Sequence, residues 1–209
     1  MTILTFPLGQ LQANCYFIIE DKECLIIDPG DDAAFILEEV QRRNLKVVGL
    51  LATHGHFDHI MAVGELQLSI DAPLYIDKRD MFLVERLNET AEYFLGYNPY
   101  SLKPNNIISF NKKTLEVPHF MFQVISTPGH TPGSVCFYLK GEGVLFTGDT
   151  LFKQGIGRYD FSYSDKKDLL NSITEILKLP DGTQMYPGHG ETTTVEDEKL
   201  HNPFIQKKQ

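Results

Sequence analysis

The chain has 209 residues, 42% of them hydrophobic, enough to bury one sizeable core, and it is expected to form a single domain over residues 1–209. Its formal charge of −9 weighs against a general nucleic-acid binder, which needs a basic footprint, although bound divalent cations would offset some of that charge at a site. No run approaches the ~20 apolar residues that span a bilayer, and the opening MTILTFPLGQ has neither the basic nor the apolar segment of a secretory signal. Cys15, Cys24 and Cys136 are scattered and odd in number, which argues against a disulfide framework or a zinc ribbon and fits inert core thiols in a reducing cytoplasm.

In chain order, CYFIIE (Cys15–Glu20) and CLIID (Cys24–Asp28) are β-branched, apolar runs around a charged turn, the pattern of a hairpin. DPGD (Asp28–Asp31) breaks the second strand. Ala33, Ile36, Leu37 and Val40 then recur at the spacing of one helical face. KVVGLLAT reads as a buried strand, Ile60–Leu68 as a helix, Ala72–Ile76 as a short strand and Lys78–Leu95 as a longer helical stretch. Gly96–Asn106 is loop by its Pro, Gly and Asn content, and its tyrosines make it a candidate pocket rim. Strands follow at Ile107–Ser109, Thr114–Val117, Met121–Ser126, Ser134–Leu139 and Val144–Thr147. A helix with Leu170, Ile173 and Leu177 on one face and a last strand, TQMYP, complete the series. Two sets of strands, with helices between and after them, suggest an α/β arrangement of sheet packed on sheet with helices outside.

Four punctuated turns carry the polar chemistry: THGHFDH (Thr53–His59), TPGHTPGS (Thr127–Ser134), TGDTLF (Thr147–Phe152) and YPGHG (Tyr186–Gly190). Each follows an apolar strand and contains or adjoins glycine, so each is a strand-end loop where side chains can converge. The first holds three of the seven histidines within six positions. Pooled, the turns supply His54, His56, Asp58, His59, His130, Asp149 and His189, a nitrogen and oxygen donor set suited to zinc, iron or manganese. Seven ligands exceed the four of one tetrahedral ion but suffice for two ions with a shared carboxylate. The alternating His54/His56 pair would serve one ion with His130, and Asp58/His59 the other with His189. Asp149 would bridge. His119 and His201 read as structural histidines, and Asp28 either orients a ligand or caps its turn.

These residues resemble the metallo-β-lactamase superfamily, whose mark is H-x-H-x-D-H followed by a distant His, an Asp and a His; the likeness covers the whole chain, including NCYFIIEDKECLIIDPG. It implies an αββα sandwich of two mixed β-sheets flanked by helices, with metal at one edge. Within the superfamily the resemblance is to small glyoxalase II-like (hydroxyacylglutathione hydrolase-like) proteins, carried by FTGDTLF, GIGRYDF (Gly155–Phe161) and Asp149, where common β-lactamases use cysteine. The implied chemistry is thioester hydrolysis by a hydroxide held between two divalent ions, zinc first, with Asp58 and Asp149 as the catalytic carboxylates. The stretch after His189 is too short for the helical extension that holds glutathione in full glyoxalase II enzymes, so recognition of a small-molecule thioester would fall to Gly96–Asn106 and Gly155–Phe161. Arg158 and Tyr159 are candidate substrate contacts, with an Arg158–Asp160 pair that fixes the loop as the alternative. Two rival readings stand beside this one. Persulfide dioxygenases share the G-R-x-D-F segment and use a single iron; a permissive metallo-hydrolase would act on β-lactams or nucleic acid.

Overall fold

In a computed structural model, residues 1–110 and 113–206 are described. They group into two compact units, one built from residues 1–110 with 117–120, the other from 113–116 with 121–206.

The first unit is built on a six-stranded mixed sheet in sequential order: β1 (Thr2–Leu8), β2 (Ala13–Glu20), β3 (Glu23–Ile27), β4 (Lys46–Leu51), β5 (Leu74–Asp77) and β6 (Ile107–Phe110). The expected hairpin is β2–β3, antiparallel with Tyr16 opposite Ile27. β1, a strand not anticipated from sequence, pairs antiparallel with β2, whereas β3 to β6 run parallel. Parallel strands are covered on both faces and read as continuous apolar runs. Leu50, Leu51, Ile26 and Ile27 accordingly have no exposed surface. Helix α1 (Ala33–Arg42) begins at Asp32, whose carboxylate accepts from Phe35 N–H, and turns Ala33 and Ile36 into the core.

The helix expected at Ile60–Leu68 is instead two short pieces, α2 (Phe57–Ile60) and α3 (Val63–Leu66). The break has a tertiary cause: Ala62 N–H donates out of the helix to the Pro29 carbonyl. The stretch Lys78–Leu95 is likewise divided, into a 3₁₀ turn (Lys78–Asp80), α4 (Met81–Glu85) and α5 (Leu87–Leu95).

The second unit carries a six-stranded sheet that begins with β7 (Thr114–Val117), β8 (Phe120–Ser126), β9 (Val135–Leu139) and β10 (Val144–Gly148); next in the chain, β11 (Leu151–Phe152) and β12 (Gly155–Ile156) pair with each other as a separate two-stranded sheet, and β13 (Gln184–Pro187) and β14 (Thr193–Thr194) complete the six. Its order is β14-β13-β10-β9-β8-β7, with β8, β9 and β10 antiparallel and β10 parallel to β13. A parallel pair needs a crossover, supplied here by α6 (Lys166–Ile176). The buried face of α6 is Leu169, Ser172, Ile173 and Ile176, rotated from the expected Leu170, Ile173 and Leu177. Gly129 packs against Leu169, and the Ser172 hydroxyl donates to the Pro128 carbonyl; these contacts set the rotation.

Past β14 come α7 (Val195–His201) and α8 (Pro203–Gln206), neither anticipated from sequence. α7 announces itself only weakly, by a Thr194 cap, three acidic residues in its first turn and Lys199 and His201 in its last. It carries Glu198, a buried carboxylate that accepts from Gln154 N–H, the Thr193 hydroxyl and the Asn202 amide. Asn202 in turn donates to the Gly155 carbonyl. The β11–β12 hairpin is therefore clamped by α7 and its cap residue Asn202. No described helix is long and apolar enough to cross a membrane.

All three cysteines are buried and unpaired, and burial pushes the thiols of Cys24 and Cys136 up to about 12. Native protein at pH 8 should leave all three unreactive toward a disulfide reagent, and three thiols should titrate after unfolding. Glu198→Ala strands three hydrogen-bond donors and should destabilise the protein by about 3 kcal/mol in urea unfolding, with Glu198→Gln less damaging.

Candidate metal centre

In the first unit, the loop from β4 to α2 carries Thr53–His59 and is organised by Asp28, at the end of β3. Asp28 is 1% exposed and has φ of 52°, a left-handed conformation that turns the chain at the strand end. Its Oδ1 accepts from Thr53 N–H at 2.7 Å, and its Oδ2 from the Thr53 hydroxyl at 2.7 Å. The same Oδ2 lies 2.9 Å from His59 Nδ1. Of the two roles open to Asp28 from sequence, the orienting one is the one its hydrogen bonds describe.

The consequence is chemical. A carboxylate has no proton to give, so a neutral His59 donates from Nδ1 and turns its Nε2 lone pair outward. The Thr53 hydroxyl spends its proton on Asp28 and therefore accepts from His54 Nδ1, 3.1 Å away, which leaves His54 Nε2 as a lone-pair donor as well. One buried carboxylate sets the tautomers of two histidines. His54 Nε2 and His56 Nδ1 face each other at 3.0 Å, with the rings nearly perpendicular. Two nitrogens at 2.0–2.1 Å from a tetrahedral ion would be about 3.3 Å apart. Asp58 Oδ2 stands 3.8 Å from His59 Nε2 and keeps partial solvent access.

The second unit gathers the other three candidates around one oxygen. Asp149 Oδ2 is 3.5 Å from His130 Nε2 and 3.8 Å from His189 Nε2. His130 Nδ1 is 2.8 Å from the Arg158 carbonyl, which can only accept, so here too Nε2 is the lone-pair nitrogen. The approach of the Gly155–Phe161 segment to this group depends on Gly157: a Cβ there would lie 1.8 Å from the Asp149 carbonyl oxygen. Gly129, at φ 136°, could not carry a side chain either, since its Cβ would lie 2.2 Å from Leu169 N.

Each unit thus brings together its own share of the seven expected ligands, four in the first and three in the second. His119 and His201 lie elsewhere. His119 is exposed and pairs with Glu23 at 2.9 Å, and His201 Nδ1 lies 3.2 Å from the Asp197 carbonyl. The Arg158 guanidinium makes two 2.9 Å hydrogen bonds to Asp160 and sits 4.5 Å from the centre of the Phe161 ring, the loop-fixing arrangement. Asp160 is held below the usual carboxylate range, first by that hydrogen bonding. Tyr159 is partly exposed, with Lys166 5.0 Å from its ring centre. Sequence reasoning missed Asp80, a fully buried carboxylate that accepts from Gly55 N–H at 2.9 Å; it stands in no motif and only the fold brings it to the loop.

The donor set fits a divalent metal. Three imidazoles have one nitrogen committed to a polar partner and the other left as a lone-pair donor, and carboxylates accompany them in both units.

Comparison with known proteins agrees with this chemistry. Residues 8–189 match the model of the metallo-beta-lactamase superfamily. The hydroxyacylglutathione hydrolase GloC of Haemophilus influenzae is 37% identical over 211 residues, covering 100% of both chains. The crystal structure of BLEG-1 B3 metallo-beta-lactamase superimposes with a TM-score of 0.91 at 39% identity, covering 98% of this chain and 99% of that one. That of TTHA1623 in a di-iron-bound form does so with a TM-score of 0.88 at 36% identity, covering 98% and 100%. A chain with two mixed sheets, flanking helices and this histidine–aspartate set belongs to the metallo-β-lactamase superfamily, a family of metal-dependent hydrolases.

Proposed function

We propose that the protein is a dinuclear metal-dependent thioesterase of the hydroxyacylglutathione hydrolase type. His54, His56 and His130 would hold one ion and Asp58, His59 and His189 the other, with Asp149 serving both. The observation that carries the reading is the pair of prepared donor sets, in which Asp28 and the Arg158 carbonyl fix the imidazoles as lone-pair donors. The full-length similarity to GloC supports the thioester class, and the di-iron form of TTHA1623 supports two ions while leaving iron beside zinc as their identity.

When bound, the ions would supply a water acidic enough to ionise near neutral pH and positive charge against a developing oxyanion. The protein's own contribution is position. Asp58, the ligand in the first unit with a partly solvent-facing carboxylate, orients the attacking water. Asp28, through Thr53 and His59, keeps the imidazoles from rotating as charge builds. A thiol leaving group, with an ordinary pKa near 8.5, departs as thiolate without a strong acid to assist it. Recognition of the acyl group and carrier falls to the loops Gly96–Asn106 and Gly155–Phe161, where Tyr159 is the open contact and Arg158 is engaged by Asp160. The similarity to a B3 metallo-beta-lactamase favours one second reading, hydrolysis of a lactam amide at the same centre.

Metal-replete protein should contain two ions per chain by elemental analysis, and one ion with His189 uninvolved would favour a mononuclear oxygenase instead. Asp149→Ala should lose both ions and all turnover, while His119→Ala and His201→Ala keep the wild-type metal content and rate. Asp28→Ala should weaken metal binding about 10- to 100-fold in chelator competition. S-lactoylglutathione and a thioester on a shorter thiol should be hydrolysed within about a hundredfold of each other, roughly 2.7 kcal/mol of carrier recognition at most. A chromogenic cephalosporin turned over faster than either would move the assignment to the lactam reading.

A further inference from the structure

We infer that Asp80 is a positioning residue for the His54/His56 pair: its buried carboxylate pins the Gly55 peptide between the two histidines and so sets the spacing of their donor nitrogens. The inference rests on the metal-ligand role proposed for His54 and His56, and concerns a residue outside every motif that marks the centre.

The loop is held at two alternate amides. Thr53 N–H, before His54, donates to Asp28 Oδ1 at 2.7 Å. Gly55 N–H, after His54, donates to Asp80 Oδ2 at 2.9 Å. His54 therefore sits between two backbone anchors on separate carboxylates, and His56 follows directly from the second. Asp80 ends the 3₁₀ turn Lys78–Asp80 after β5, and is 0% exposed. Burying a carboxylate costs several kcal/mol unless its hydrogen bonds compensate. A bond from an amide to a charged acceptor is roughly twice as strong as a neutral one. The loop also lies tightly on this turn. A Cβ on Gly55 would stand 2.9 Å from the Asp80 carbonyl oxygen and 2.9 Å from Leu83 Cβ.

Those contacts fix where the Gly55 peptide lies. With that peptide fixed, His54 Nε2 and His56 Nδ1 face each other at 3.0 Å, close to what one ion requires. Asp28 sets the tautomers of His54 and His59, and Asp80 sets the backbone from which His54 and His56 project. Two neighbouring carboxylates on the same stretch do different work, as Asp77 shows. Asp77 is also buried but turns both oxygens on Arg79, accepting from its backbone N–H and its guanidinium.

The test compares Asp80→Ala, Asp80→Asn and Asp77→Ala with the wild type. The readouts are hydrogen exchange of the Gly55 amide in metal-free protein and zinc affinity by chelator competition. Asp80→Ala should abolish protection at Gly55 and weaken zinc binding about 10- to 100-fold. Asp80→Asn, whose amide oxygen can still accept, should keep the protection and stay within about fivefold of wild-type affinity. Asp77→Ala should lower the unfolding temperature while leaving both readouts in place. Wild-type affinity in Asp80→Ala, or an equal loss in Asp77→Ala, would overturn the inference, because the effect would then be absent or merely that of a loosened turn. If Asp80→Ala does not fold, Gly55→Ala presses a Cβ onto the Asp80 carbonyl oxygen and Leu83 and pushes the loop off the same turn, and normal zinc binding in that variant with its amide unprotected would overturn the inference equally. If the wild type itself bound no zinc, the metal reading would fall, and Gly55 exchange would still decide whether Asp80 anchors the loop.

Discussion

A carboxylate removed from water must be satisfied by the protein or it unfolds the region around it, and that constraint organises the chemistry of this chain. Asp28 meets it with one backbone N–H, one hydroxyl and one imidazole, all from the Thr53–His59 loop. The three bonds do more than offset desolvation. Because an ionised carboxylate only accepts, every partner is forced to be a donor, and the protonation pattern propagates outward through the Thr53 hydroxyl to His54. The orientation of lone pairs at the candidate metal centre is a consequence of where one acid was buried.

The second unit reaches the same end by another route. There a main-chain carbonyl, that of Arg158, plays the obligate acceptor for His130. A carbonyl is placed by backbone conformation rather than by a rotamer, so the segment that carries it must be held firmly. Gly157 lets that segment lie directly on the Asp149 backbone, and the β11–β12 hairpin just before it is tied down by Glu198 and Asn202. The Arg158–Asp160 pair and the Phe161 ring fasten its far side. That pair is exposed and worth little as an isolated ion pair; its value is in restricting the loop.

Much of this was legible in the sequence, for a physical reason. Strand-end turns rich in histidine, aspartate and glycine are costly to keep without a use, so THGHFDH, TPGH, TGD and YPGHG pointed to a ligand set, and hydrophobic periodicity located the hairpin, α1 and the parallel strands. What escaped is what depends on tertiary partners. The Ile60–Leu68 pattern is helical in period, yet Ala62 N–H finds the Pro29 carbonyl and divides it. The face of α6 turned because Gly129 and Pro128 take up Leu169 and Ser172. β1 and β14 are sheet-edge strands, and β1 has only one clearly buried side chain, so neither carries a strong pattern. Asp80 and Glu198 look like ordinary surface acids in the sequence, because nothing in a lone Asp or Glu says that a distant amide will come to it.

Those hidden acids share a logic with Asp28. Asp28, Asp80 and Glu198 each accept at least one backbone N–H from a loop, at Thr53, Gly55 and Gln154 respectively. Loops cannot satisfy their own amides as helices and sheets do, and a surface loop normally leaves that task to water and stays mobile. Replacing water by a fixed charge gives a loop the definition of a strand without making it one. Apolar packing could hold the strands and helices of this chain with many different side chains, since cores tolerate repacking when volume is kept. A donor set that must match an ion to a few tenths of an ångström has no such tolerance. These three buried carboxylates therefore serve where the fold passes from regular structure, which needs only shape, to loops that must present atoms.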